Sequence, residues 1–308
     1  MKIKKNGVWE NFILPVSVPT MTGASNTSNG TKGLVPAPAA GDQDKYLKAD
    51  GTWEAITAHS DIVNITEKVA ALNYSNAAAH NAIFRGKYLG NHVTDEQWVA
   101  IKAGTFDDLY IGDYWTISGV DYVVAAFNYY LNCGDTACTV NHVTIVPRNN
   151  FYNHVMNDTD VVTGSYVGSK MYASGLDSAK TTIASAFGSS HILTIRQYFQ
   201  NSVTGNYENG SDWYDASVFL MSEINIYGGN IFKNIAAGTS RPNNYQIENS
   251  QYPVFAFDKT MIHIQQGYWL RDVSSSTEFA RVHSRGYCGK QDASVSSGVR
   301  PAFNIYQS

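Results

Sequence analysis

The sequence predicts an α+β fold, and three observations carry that reading. Several short runs alternate apolar and polar residues between clusters of Gly, Ser and Asn, as half-buried strands do. Two stretches, residues 94–104 and 176–188, combine helical spacing of apolar residues with recognisable start and stop residues. The 308 residues, 44% hydrophobic and 16% charged, suffice for one large core or two modest ones.

In chain order, residues 1–57 come first and hold four of the eight prolines. Small-residue stretches such as Thr22-Gly23-Ala24-Ser25-Asn26-Thr27-Ser28-Asn29-Gly30 give this region too little apolar surface for a core. It reads as extended, or as ordered by other chains. Asp50-Gly51, between Tyr46-Leu47 and Thr52-Trp53, predicts a tight hairpin turn. The basic Met1-Lys2-Ile3-Lys4-Lys5 and apolar Phe12-Ile13-Leu14-Pro15-Val16 superficially suggest a secretion signal. Glu10, Asn11, Pro15 and Pro19 interrupt the apolar core that such a signal needs.

Residues 58–84 change character. After Ser60, a candidate N-cap, apolar residues fall at Ile62, Ile65, Val69 and Leu72, and the pattern continues through Asn76, Ala79 and Ile83. β-Branched residues at both kinds of core position favour a trimeric coiled coil. An amphipathic helix packed on its own domain is the alternative, but the flanking sequence offers no core for it.

Residues 85–308 read as the globular domain. Thr94-Asp95-Glu96-Gln97 opens a helix through a capping box, and Gly104 ends it. Tyr114-Trp115-Thr116-Ile117 and Val120-Asp121-Tyr122-Val123-Val124-Ala125, joined by Ser118-Gly119, predict a hairpin, and residues 142–147 a further strand. Helices are expected over 176–187 and 195–203. Strands are expected over 253–257, 268–271 and 299–303.

Composition excludes several functions. A net charge of −4 provides no cationic excess for general nucleic-acid binding, and no apolar run approaches the roughly 18 residues of a membrane span. Three cysteines, Cys133, Cys138 and Cys288, are too few for a disulfide scaffold and read as free thiols, although Cys133 and Cys138 could pair. None of the eight histidines has zincin spacing, there is no nucleophile elbow or phosphate loop, and nothing calls for a cofactor or a metal. Asp107-Asp108 with Asp113, or Asp158 with Asp160, could supply the two carboxylates of a glycosidase, but they read more simply as turn caps.

The most informative stretch lies between Tyr268-Trp269-Leu270-Arg271 and Gly298-Val299-Arg300-Pro301-Ala302-Phe303. Small residues there separate isolated contact types, without helical or strand period, and five Lys/Arg face three Asp/Glu over residues 271–300. It is either a plain surface loop or an adaptable binding surface of aromatic and Arg anchors among small spacers.

Two parts of the chain resemble a known family. Gly33-Leu34-Val35-Pro36-Ala37-Pro38-Ala39-Ala40-Gly41-Asp42 through Asp50-Gly51-Thr52-Trp53 is similar to a linker in tail-fibre proteins of phages of Gram-positive, often gut, bacteria. Residues from about 110 to 303, closing on Trp269-Leu270-Arg271-Asp272 and Gly298-Val299-Arg300-Pro301, resemble the C-type-lectin-fold receptor-binding domain of those proteins. That domain type includes tropism determinants diversified by phage retroelements. The resemblance implies a receptor-facing set of Ser276, Glu278, Arg281, His283, Arg285, Tyr287, Lys290 and Gln291, with Trp269, Arg300, Pro301 and Phe303 as scaffold. It implies a homotrimer at the virion's tail tip whose N-terminal region joins a tail or baseplate protein. Its C-terminal domain would grip a host-surface receptor, glycan or protein, with no nucleic acid, no membrane insertion and no covalent chemistry. The chain lacks the Glu-Pro-Asn and Gln-Pro-Asp signatures of calcium-dependent sugar binding. A tail enzyme degrading surface glycan and a purely structural tail spacer are the alternatives.

Overall fold

A computed structural model of the chain describes residues 2–11, 22–32, 35–55, 77–233 and 250–308. Two compact units divide between Asn73 and Tyr74. The proposed trimer positions Ile62, Ile65, Val69 and Leu72 lie outside the described residues.

In the first unit, β1 (Lys2–Lys5) and β2 (Val8–Asn11) form an antiparallel hairpin around Asn6-Gly7, where both residues have positive φ. A second hairpin pairs β3 (Lys45–Leu47) with β4 (Trp53–Ala55). Asp50 and Gly51 make its turn as expected: Asp50 Oδ1 accepts the Thr52 N–H at 3.0 Å, and Gly51 takes the left-handed φ of 84°. Trp53 Nε1 donates to the Pro36 carbonyl at 3.2 Å, tying the proline-rich stretch to this hairpin.

The second unit is mixed α and β, dominated by strands. Its first described element is a short helix, α1 (Ala77–His80). The buried His80 ring lies among Phe106, Tyr110 and Phe127, and its Nδ1 donates to the Leu109 carbonyl at 2.6 Å. Asn81 bonds the Phe127 backbone through both side-chain atoms, at 2.8 and 2.9 Å. Residues 77–83, where the heptad pattern ends, are therefore anchored on this unit through His80 and Asn81.

Next come β5 (Tyr88–Gly90) and α2 (Asp95–Ala103). The capping box is present: Gln97 N–H donates to Thr94 Oγ1, the Gln97 side chain accepts from the Thr94 N–H, and Gly104 closes the helix at φ 73°. Strands β6 (Tyr114–Ile117) and β7 (Val120–Phe127) form the expected hairpin, and Ser118 and Gly119 both have positive φ, as a primed turn requires. Then follow β8 (Val143–Pro147), β9 (Tyr152–His154) and α3 (Asp177–Phe187).

The helix expected over 195–203 is a strand, β10 (Ile195–Thr204), paired with β11 (Tyr207–Ala216) around a Gly205 turn. Ile195, Phe199 and Val203 are spaced by four, a step that both a helix and a strand place on one face. Buried Gln197 reveals the period of two. After β12 (Val218–Leu220) and α4 (Glu223–Tyr227), the strand expected over 253–257 is a helix, α5 (Pro253–Phe257). Pro253 sits in its first turn, where its fixed φ and missing N–H cost nothing. The chain closes with β13 (Tyr268–Val273), β14 (Glu278–Val282), β15 (Cys288–Asp292), β16 (Ser297–Val299) and β17 (Pro301–Ile305).

These strands form a six-stranded sheet, β12-β17-β8-β7-β6-β5, and a five-stranded sheet, β15-β14-β13-β16-β9. Tyr122 meets Phe187 and Phe303 edge to face in the core, and those two rings tilt against each other. Arg300, with no solvent exposure, sits where the chain passes from one sheet to the other. It donates to the Pro147 and Met261 carbonyls at 2.8 and 2.6 Å, and its guanidinium lies 4.9 Å from the Tyr268 ring centroid. No described helix is long and apolar enough to cross a membrane.

Candidate functional site

The stretch expected to lack period contains an antiparallel hairpin, β14–β15, at one edge of the five-stranded sheet. Its inner neighbour β13 is buried throughout, so the hairpin rests on a packed strand. Trp269 fixes that strand from below by donating from Nε1 to the His154 carbonyl on β9 at 2.8 Å.

The hairpin brings the expected contact residues together but divides them between its faces. Phe279 pairs with Gln291 and Arg281 with Gly289, so Arg281 and Gln291 share one face with the buried Phe279. Glu278 and Lys290 share the other, where Lys290 Nζ meets Glu278 Oε2 at 2.8 Å. His283, Arg285 and Tyr287 occupy the connecting loop. Ser276 lies in the turn before β14, and its N–H donates to Asn206 Oδ1 at 3.0 Å.

The loop has a defined shape. Gly286 N–H donates to the His283 carbonyl at 2.7 Å, and His283 N–H to the Tyr287 carbonyl at 2.9 Å. Arg285 N–H donates to His283 Nδ1 at 3.2 Å, which fixes that nitrogen as the acceptor. The His283 and Tyr287 rings stack at 4.4 Å, yet Tyr287 stays 52% exposed. Gly286 is required at φ 84°, because a Cβ there would meet the His263 Cβ at 3.0 Å. Tyr227 clamps the loop from outside by donating from its hydroxyl to the Gly286 carbonyl at 3.1 Å.

Two open clefts flank this loop. One, of about 540 Å³, is lined by Asn150, Tyr152, Asn153, Gln265 and Gln266 together with Arg281. Among the described residues, Asn150 Oδ1 and Arg281 Nε find no hydrogen-bond partner. The other, of about 500 Å³, is lined by Tyr227, Phe255, Lys259 and His263 with Arg285. Most of these lining residues were not evident in the sequence, because they come from segments far apart in the chain and none belongs to a motif.

Electrostatics order the hairpin as well. Burial raises the Glu278 carboxyl, but hydrogen bonds from Lys290 and Ser275 outweigh it and hold the group below its ordinary pKa. A depressed carboxylate stabilises the fold above its unfolded pKa and loses that contribution as pH falls through the folded one. Lys290→Met should therefore move the Glu278 titration upward, as followed by carboxyl-carbon NMR. An unmoved titration would show that Lys290 does not set it.

The acidic groups weighed for catalysis have local partners. Arg85 bridges Asp108 and buried Asp113, Lys170 Nζ lies 2.5 Å from Asp158, and Asp160 accepts the Ser294 N–H at 3.0 Å. Cys133, Cys138 and Cys288 are free thiols. Comparisons of the chain with protein-family models, curated proteins and solved structures found no match.

Proposed function

We propose that the chain is a phage tail-fibre receptor-binding protein, with a C-type-lectin-like domain that attaches the virion to the host surface. One observation carries the proposal: the exposed Arg285 and Tyr287 stand on a loop with a defined hydrogen-bond pattern, between two clefts and beside a fully buried strand. Rigid aromatic and Arg anchors with adaptable polar neighbours are what a recognition surface uses. The receptor-facing set is Ser276, Glu278, Arg281, His283, Arg285, Tyr287, Lys290 and Gln291. Asn150, Asn153, Gln265, Gln266 and Arg281 give one cleft a polar lining, which suits a receptor rich in polar groups. The N-terminal unit would join the virion, and a coiled coil through Ile62, Ile65, Val69 and Leu72 would set a homotrimer. Three linked sites raise avidity by about 10²–10⁴ over one when geometry lets them engage together.

Incubating the purified protein with intact cells of candidate hosts tests the reading. Adsorption without release of sugar is expected; release of soluble sugar would instead support a glycan-degrading enzyme. Ile65→Asp would bury like charges together and break the trimer. Light scattering should then show trimer for the native chain and monomer for the variant, and a monomeric native chain would overturn this assembly.

A further inference from the structure

Beneath the hairpin lies a buried charge cluster that the binding surface does not use. Lys233 Nζ is 3.0 Å from Asp272 Oδ1 and 3.7 Å from Glu208 Oε2, and all three side chains are 0–2% exposed. Asp272 belongs to β13 and Glu208 to β11, while Lys233 follows Ile231 and Phe232 in a stretch held by Glu223. That carboxylate accepts the N–H groups of Ile231, Phe232 and Lys233 at 2.6, 3.0 and 3.2 Å. The Glu223 N–H in turn donates to Asp272 Oδ2 at 2.5 Å. Although Lys233 Nζ is so near, Asp272 Oδ1 accepts no hydrogen bond among the described residues, so the pair touches without donor–acceptor alignment.

We propose that Lys233 and Asp272 condense into an intramolecular amide cross-link, with Glu208 as the proton-transfer group. Both partners are fully buried and in direct contact. Their fixed proximity supplies the effective concentration that this condensation lacks in water. The Lys233 ammonium first gives a proton to Asp272. The amine lone pair then attacks Asp272 Cγ and a C–N bond forms, while the Glu223 N–H steadies the charge that develops on Oδ2. Glu208 takes a proton from the nitrogen and delivers it to the departing Oδ1 hydroxyl. The C–O bond breaks, water leaves, and Glu208 returns to its starting state. No oxidant or reductant is involved. The product replaces a buried ion pair, which is costly to desolvate, with a neutral amide. It also ties residue 233 to the strand supporting the hairpin, and closing that loop covalently restricts the unfolded chain as a disulfide does. This inference is independent of what the hairpin binds.

Mass spectrometry of the full chain under denaturing conditions tests it. The native protein should be lighter than its sequence by one water, and digestion should yield a branched peptide joining Lys233 to Asp272. Lys233→Met and Glu208→Gln should both have the full sequence mass, with circular dichroism reporting whether each is folded. A native protein at full sequence mass, or a water loss mapped to other residues, would overturn the cross-link. A Glu208→Gln protein still lighter by one water would remove Glu208 from the reaction.

Discussion

Replacing Arg285 and Tyr287 together by alanine is expected to cut host-cell adsorption about 30-fold or more while leaving the fold intact. Aromatic and Arg anchors at recognition surfaces cost about 2 kcal/mol or more when truncated, which is roughly a 30-fold change in affinity. Both side chains are exposed, and Tyr287 packs chiefly on the His283 ring. Losing that exposed stack should reduce stability by no more than about 1 kcal/mol. The assay is adsorption to host cells beside a thermal melt of the same preparation. Full adsorption by a well-folded double variant would move the contact surface elsewhere. A collapsed melt would show that these side chains hold the domain together.

Trp269→Ala should produce the largest loss of stability. The ring has no solvent exposure, and its Nε1 donates to the His154 carbonyl, joining β13 to β9 across β16. Emptying such a site costs about 3–5 kcal/mol, a large share of the roughly 5–15 kcal/mol that holds a domain folded. Trp269→Phe keeps much of the packing but strands the His154 carbonyl, a cost of about 1–3 kcal/mol. Urea denaturation measures both. If Trp269→Ala cost less than about 1 kcal/mol, β13 would not be the support of the hairpin.

What the sequence revealed and what it hid follow from local chemistry. The hairpin around Ser118-Gly119 was legible because its turn needs positive φ at two successive residues and its strands alternate. Helix α2 was legible through Thr94, Gln97 and Gly104, which satisfy its end groups locally. Strand β10 was hidden because a spacing of four fits both periods, and only the polar Gln197, buried at 1% exposure, breaks the tie. Helix α5 was hidden because five residues make barely more than one turn, too few to display a helical period.

The candidate site was legible in part for the same reason. Its supporting strand β13 opens on the apolar run Tyr268-Trp269-Leu270, and Arg300 stands just before the mostly apolar β17. The hairpin between them was not, because Gly289, Lys290 and Gln291 on β15 present no apolar face. The clefts could not be read at all. Asn150, Gln265 and Arg281 meet only after β9, β13, β14 and β16 have assembled into one sheet.

The central claim is that the β14–β15 hairpin and its loop are the receptor-contacting surface. Hydrogen exchange of the full chain, free and bound to envelope fragments from an adsorbing host, tests this most directly. Slowed exchange concentrated in residues 276–291 and in the flanking cleft segments is the result expected. Protection confined to other parts of the chain, with residues 276–291 exchanging as in the free protein, would contradict it.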